Sequence, residues 1–168
     1  MTSLLCHVGA KRMVINVEAK ADEPFSEVIG EYCDQAAAPR PDGHTSRSNV
    51  PARIHSLSRA LFGREPDETI RKLRYQLLHA AAATLIEAKE NGAELGLFLV
   101  HEFRSASLNR NKLTQNATDW KNFVHTFPEL AAARIEENQI LNPVSVPGGK
   151  YVPHSVPLYF GKLVTELR

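Results

Sequence analysis

Glu18 and Lys20 stand two positions apart at the end of the run Val14-Ile15-Asn16-Val17-Glu18-Ala19-Lys20, an apolar segment that reads as a strand. Side chains alternate faces along a strand, so the carboxylate and the amine project to one side while Val17 and Ala19 turn toward the core. Metal-dependent phosphodiester hydrolysis requires such a pair. The carboxylate holds a divalent cation, and the lysine beside the metal-bound water assists its deprotonation and offsets charge developing on the phosphate. An ordinary ion pair at a strand end has the same spacing, so the motif becomes chemistry only if the chain builds a pocket around it.

Other candidates are more diffuse. Gln76 falls between Lys72 and His79 at four- and three-residue spacing, so on one helix the three share a face and can address a substrate phosphate or a metal site. A solvated helix face has the same pattern. His101 interrupts an apolar strand with Glu102 on the opposite face, and it reads first as a histidine satisfied at a sheet end. Asp22, Glu23, Glu27 and Glu31 are the acids nearest Glu18 and read first as an acid-rich cap and a helix surface. The seven histidines lack His-x-x-x-His spacing, so zinc is not indicated. Gly-rich phosphate loops, nucleophile elbows and helix-turn-helix signatures are absent.

Composition sets the frame. A chain of 168 residues with 43% apolar content is expected to form one domain over its whole length, 1–168. A net charge of +1 excludes a strongly basic nucleic-acid coat. Locally, 40–74 carries eight basic residues against four acids, a surplus of four that could follow a phosphate backbone. Two distant cysteines, Cys6 and Cys33, do not make a zinc ribbon or a disulfide framework. No leader-like segment or long apolar run is present, so a soluble cytoplasmic protein without membrane contact is expected.

The elements that must position the pair follow from the pattern. Gly9-Ala10-Lys11-Arg12 separates two strand-like runs and predicts a hairpin; pairing Gly9 with Arg12 puts Ser3 opposite Glu18 and His7 opposite Val14. Pro24 opens a helix over 24–37. The proline-, glycine- and serine-rich stretch 39–51 reads as a mobile loop. Helices are expected over 52–62, closed by Gly63, and over 66–91, with a broad apolar face and four consecutive alanines from Ala80. Residues 96–103 suit a central strand. A polar, flexible stretch over 104–115 is followed by a helix from Thr118 or Asp119 to Pro128, and 156–163 forms a last strand. The predicted class is α/β (α+β): a mixed sheet opening with a β-hairpin and flanked by helices.

Glu18-Ala19-Lys20 at the end of a hairpin's second strand, then a helix and another strand, resembles the core of the PD-(D/E)XK nuclease superfamily. More narrowly, EAKADEPF at 18–25, RYQLLHAAAATLIEA at 74–88, LFLVHEF at 97–103, Asp119-Trp120 with Phe123, and VPLYFG at 156–161 resemble an uncharacterised bacterial family near that superfamily. The resemblance implies a restriction-endonuclease-like core and a magnesium- or manganese-dependent nuclease acting on DNA or RNA. It implies Glu18 as metal ligand, Lys20 as the residue serving the attacking water, and Gln76 beside the active site.

The resemblance begins at the hairpin. The superfamily's preceding helix, first strand and metal-binding aspartate have no counterpart, and no acid occurs before Met13. With one carboxylate, cation affinity should be weak. Either the chain start is shortened relative to its relatives, or the site is degenerate on the same fold: a non-catalytic module that binds nucleic acid or protein, or forms a homodimer through the hairpin's outer edge.

Overall fold

The computed structural model describes residues 1–21, 23–38, 48–106 and 109–167. Among them the chain runs β1 (Thr2–Val8), β2 (Lys11–Lys20), α1 (Ile29–Ala37), α2 (Val50–Phe62), α3 (Glu68–Arg71), α4 (Tyr75–Glu90), β3 (Leu95–Arg104) and α5 (Arg110–His125). A 3-10 turn (Pro128–Leu130), β4 (Gln139–Ile140) and β5 (Leu158–Glu166) complete it. The five strands form one mixed sheet in the order β1-β2-β3-β5-β4, with β2, β3 and β5 parallel and β1 and β4 antiparallel to their neighbours. The class is α+β, as expected. No described helix is long and apolar enough to cross a membrane.

Alternation in the parallel strands fixes the layers. Val14, Asn16, Glu18 and Lys20 of β2, Phe98, Val100 and Glu102 of β3, and Leu158, Phe160 and Lys162 of β5 are all buried on one face. Their apolar members share a core with helix residues such as Ile54, Leu77, Leu78, Leu85, Trp120 and Phe123. Full burial stabilises each of these large side chains by about 1.5–3 kcal/mol. Ala80, Ala81 and Ala82 are buried, and Thr84 Cγ2 would lie 3.2 Å from a Cβ at Gly96, so small residues bring α4 close to β3.

The other face is different. Met13, Leu95 and Leu97 form a separate cluster with Cys6, Ile15, Leu99 and Tyr159, contributed entirely by strands. Val17 is half-buried and Ala19 exposed on this face, which corrects their assignment to the core. The principal core lies on the side to which Glu18 and Lys20 point.

Hairpin register also departs from expectation. Gly9, at φ 62°, takes a position of a two-residue turn, so Val8 pairs with Lys11, Ser3 with Asn16 and His7 with Arg12. The helix expected from Pro24 begins only at Ile29. Backbone bonds from Tyr75 N–H to the Glu27 carbonyl and from Ile29 N–H to the Leu73 carbonyl pair 27–29 with 73–75 instead. That pairing also divides the long helix expected over 66–91 into α3 and α4. Asp67 caps α3 by accepting from the N–H groups of Thr69 and Ile70. Gly63 closes α2 in the left-handed region at φ 72°. α5 starts at Arg110, where a flexible polar stretch was expected, because Asn109 accepts from Asn111 N–H as its cap. Of the loop expected over 39–51, residues 39–47 lie outside the described residues, while Val50 and Pro51 belong to α2.

Candidate functional site

Glu18 and Lys20 leave the carboxyl end of β2 toward the helices and converge. The Lys20 amine is 3.7 Å from Glu18 Oε1, and Gln76, from the first turn of α4, donates its Nε2 to the same oxygen at 2.7 Å. The structure therefore brings Glu18, Lys20 and Gln76 together. Glu18 is 7% exposed and Lys20 4%. The Met1 amine lies 4.0 Å from Glu18 Oε2.

The segment 23–26 closes over this group. Lys20 donates to the Pro24 carbonyl at 3.4 Å and lies 5.3 Å from the ring centre of Phe25, itself buried. Gln76 Oε1 accepts from Ser26 N–H at 3.2 Å, and Arg74 donates to the Ser26 carbonyl at 3.2 Å. Arg74 is held in turn by Asp119 of α5 at 2.8 Å, while Asn116 donates to the Glu23 carbonyl at 3.1 Å. α4 and α5 thus fasten both ends of the segment.

A second buried ionic group sits beside the first. Glu102 is the registered partner of Lys20 across β2 and β3, and Lys162 is registered with Val100 across β3 and β5. Glu102 is 1% exposed; it accepts from Arg104 Nε at 2.6 Å, and its other oxygen faces the Lys162 amine at 3.0 Å without hydrogen-bond alignment. Arg104 also donates to Glu137 at 2.5 Å, which holds the Glu137 carboxyl below its usual range. Lys162, Trp120, Lys121 and Glu137 line a cavity of about 350 Å³. Glu102 and Lys162 are the site-face charges that sequence reasoning missed. Their signal was present: charged residues at alternate positions of otherwise apolar strands.

Several expected contributors lie elsewhere. Lys72 falls in the break before α4, and His79 stacks 5.8 Å from Tyr75, so neither joins Gln76 in a set. Partial desolvation, and then the Arg53 charge, lower the pKa of the exposed His79 from its ordinary 6.5. His101 is on the opposite sheet face, bonded to Thr165 Oγ1 at 2.9 Å. Glu23 approaches the Lys20 amine at 4.0 Å, Glu27 and Glu31 are exposed, and Asp22 lies outside the described residues. The basic stretch is largely compensated: Arg59 pairs with Glu65, Arg64 with Asp67, Arg71 with Asp34, and Arg74 with Asp119. Arg40 and Arg47 are outside the described residues.

The donor set does not fit a magnesium or manganese ion. A hard cation takes several anionic or neutral oxygens. Here one Glu18 oxygen accepts from Gln76 and faces Lys20, and the Glu102 oxygens face Arg104 and Lys162. Among the described residues no group of three His, Cys, Asp or Glu side chains could hold a metal.

A family model described as a domain of unknown function (DUF6946) matches residues 3–167. No curated protein and no solved structure matches the chain.

Proposed function

We propose, since this chain belongs to the DUF6946 family and that description assigns no activity, that the protein is a non-cleaving member of the PD-(D/E)XK-like fold whose exposed apolar β1 strand serves a protein partner. Kinship with those nucleases is supported by the antiparallel β1, by Glu18 and Lys20 at the end of β2, by Gln76 on the crossover helix, and by the parallel β3 and β5. One observation carries the absence of turnover. The Glu18–Lys20 pair is buried beneath 23–26, where Gln76 donates to Glu18, and the Pro24 carbonyl and the Glu23 carboxylate, the latter at 4.0 Å, face the Lys20 amine. At 7% and 4% exposure, Glu18 and Lys20 offer little surface to a phosphodiester and its attacking water. The unpaired thiols of Cys6 and Cys33 support a cytoplasmic location.

The test is incubation of the protein with DNA and RNA in magnesium or manganese. No cleavage above buffer is expected, and calorimetry should register no cation binding. Turnover that disappears in Lys20→Ala would overturn the proposal. It would restore a metal-dependent phosphodiesterase with Glu18 as metal ligand and Lys20 and Gln76 as catalytic residues.

A second reading, nucleic-acid binding without cleavage, is favoured by a cavity of about 450 Å³ lined by Arg64, Lys72, Asn122 and His125. Fluorescence anisotropy against salt decides it. Each phosphate neutralised contributes about 0.9 to the slope of log K against log salt, and Lys72→Ala should remove about that much. Binding that is absent or insensitive to salt refutes this second reading.

A further inference from the structure

β1 lies at one edge of the sheet and, among the described residues, is hydrogen-bonded on one side only, to β2. An unpaired edge is a template for another strand, and proteins commonly blunt it with a charge, a proline or a bulge. Thr2-Ser3-Leu4-Leu5-Cys6-His7-Val8 contains no acid, lysine, arginine or proline, and its seven residues pair with β2 in unbroken register. Leu4, Leu5 and Val8 are about half exposed, at 54%, 53% and 50%. Leu4, Cys6 and Val8 continue the all-strand apolar face, being registered with Ile15, Met13 and Lys11, while Leu5 projects on the opposite side.

We infer that this edge pairs with β1 of a second copy of the chain, antiparallel about a two-fold axis at Leu5. The sequence identifies the occupant, because an isologous contact requires every residue to match the one it meets. Centred on Leu5, the strand meets itself as Leu5 with Leu5, Leu4 with Cys6, Ser3 with His7, and Thr2 with Val8. Apolar meets apolar, polar meets polar, and the last pair joins two β-branched side chains of similar shape. No like charges are opposed. The axis is perpendicular to the sheet, so two five-stranded sheets join into one of ten strands, with the exposed leucines of both copies filling the seam. This inference is independent of whether the Glu18 site cleaves, since the outer edge of β1 takes no part in that chemistry.

The experiment reads mass and register together. Sedimentation of the full chain at increasing concentration should show a species of twice 18.7 kDa. Leu5→Lys, which opposes two ammonium groups at the axis, should return it to 18.7 kDa with its thermal melt retained. In a Cys6→Ser, Cys33→Ser background, Leu5→Cys should oxidise to a covalent dimer. Directly opposed residues on antiparallel strands have Cα atoms about 4.5–5.5 Å apart, within disulfide range. Ser3→Cys in that background should remain unlinked, because residue 3 opposes residue 7. A chain that stays at 18.7 kDa throughout, a dimer indifferent to Leu5→Lys, or linkage equal at Ser3→Cys and Leu5→Cys overturns the inference. If Leu5→Lys fails to fold, the cysteine pair decides alone.

Discussion

Replacing Glu102 by leucine removes a carboxylate whose loss the structure lets one weigh. Lys162, 5% exposed and 3.0 Å from Glu102, is left with a buried charge and no partner of comparable distance among the described residues. Arg104 is not orphaned, because it keeps Glu137 at 2.5 Å. Removing one member of a buried pair costs about 3–5 kcal/mol. For a domain of this size each kcal/mol moves the melting temperature by about 2–4 °C, so Glu102→Leu should lower it by roughly 6–20 °C. Lys162→Met alone should cost less, about 2–3 kcal/mol, since Glu102 retains Arg104 at 2.6 Å. The double variant returns to within about 1 kcal/mol of the parent, because a packed apolar pair replaces a buried ionic one. Urea unfolding followed by circular dichroism, with equal slopes for all four proteins, measures the coupling. A double variant whose loss equals the sum of the two singles would refute the reasoning.

Gln76→Leu deprives Glu18 of its 2.7 Å donor and leaves Ser26 N–H without an acceptor, and it should cost about 1–3 kcal/mol by denaturant titration. Gly148 adopts φ +78°, and a Cβ there would lie 2.9 Å from the His154 backbone nitrogen, so Gly148→Ala should lose about 1–3 kcal/mol in the same assay. Asp67→Ala removes the α3 cap, and its melt should report a loss of about 1 kcal/mol. Because the His79 pKa is lowered in the fold, the unfolded chain takes up that proton first as pH falls. Stability is then full above about pH 6.5 and declines as pH falls through the folded value. Melts across pH should show this decline reduced in His79→Leu.

Local chemistry made much of the fold readable. The turn at Gly9, the left-handed cap at Gly63 and the run of alanines on α4 announced their elements, and the Glu18-x-Lys20 alternation placed both side chains on one face. Alternation alone could not say which face carries the helices, so Val17 and Ala19 were assigned to the wrong layer. Helix boundaries near Pro24 and Lys72 were illegible for another reason. They depend on pairing between residues nearly fifty positions apart, which no local propensity records. Gln76 was legible as one member of a helix face, but the break at the start of α4 separates Lys72 from it, and His79, on the same helix, packs beside Tyr75 instead. Glu102 and Lys162 lay in recognised apolar runs, yet their ion pair exists only once β3 and β5 stand side by side.

The order of the sheet has a consequence for synthesis. The hairpin emerges first, but its parallel neighbour β3 follows only after all of α1 to α4 has been made, and β5 later still. Until then β2, destined for the interior and paired only with β1, presents one unsatisfied rim and a bare apolar flank. Such distant pairing slows folding and prolongs exposure to aggregation. Translation pauses placed before β3 would lengthen that interval, and a chaperone acting on the nascent chain would have its greatest effect there.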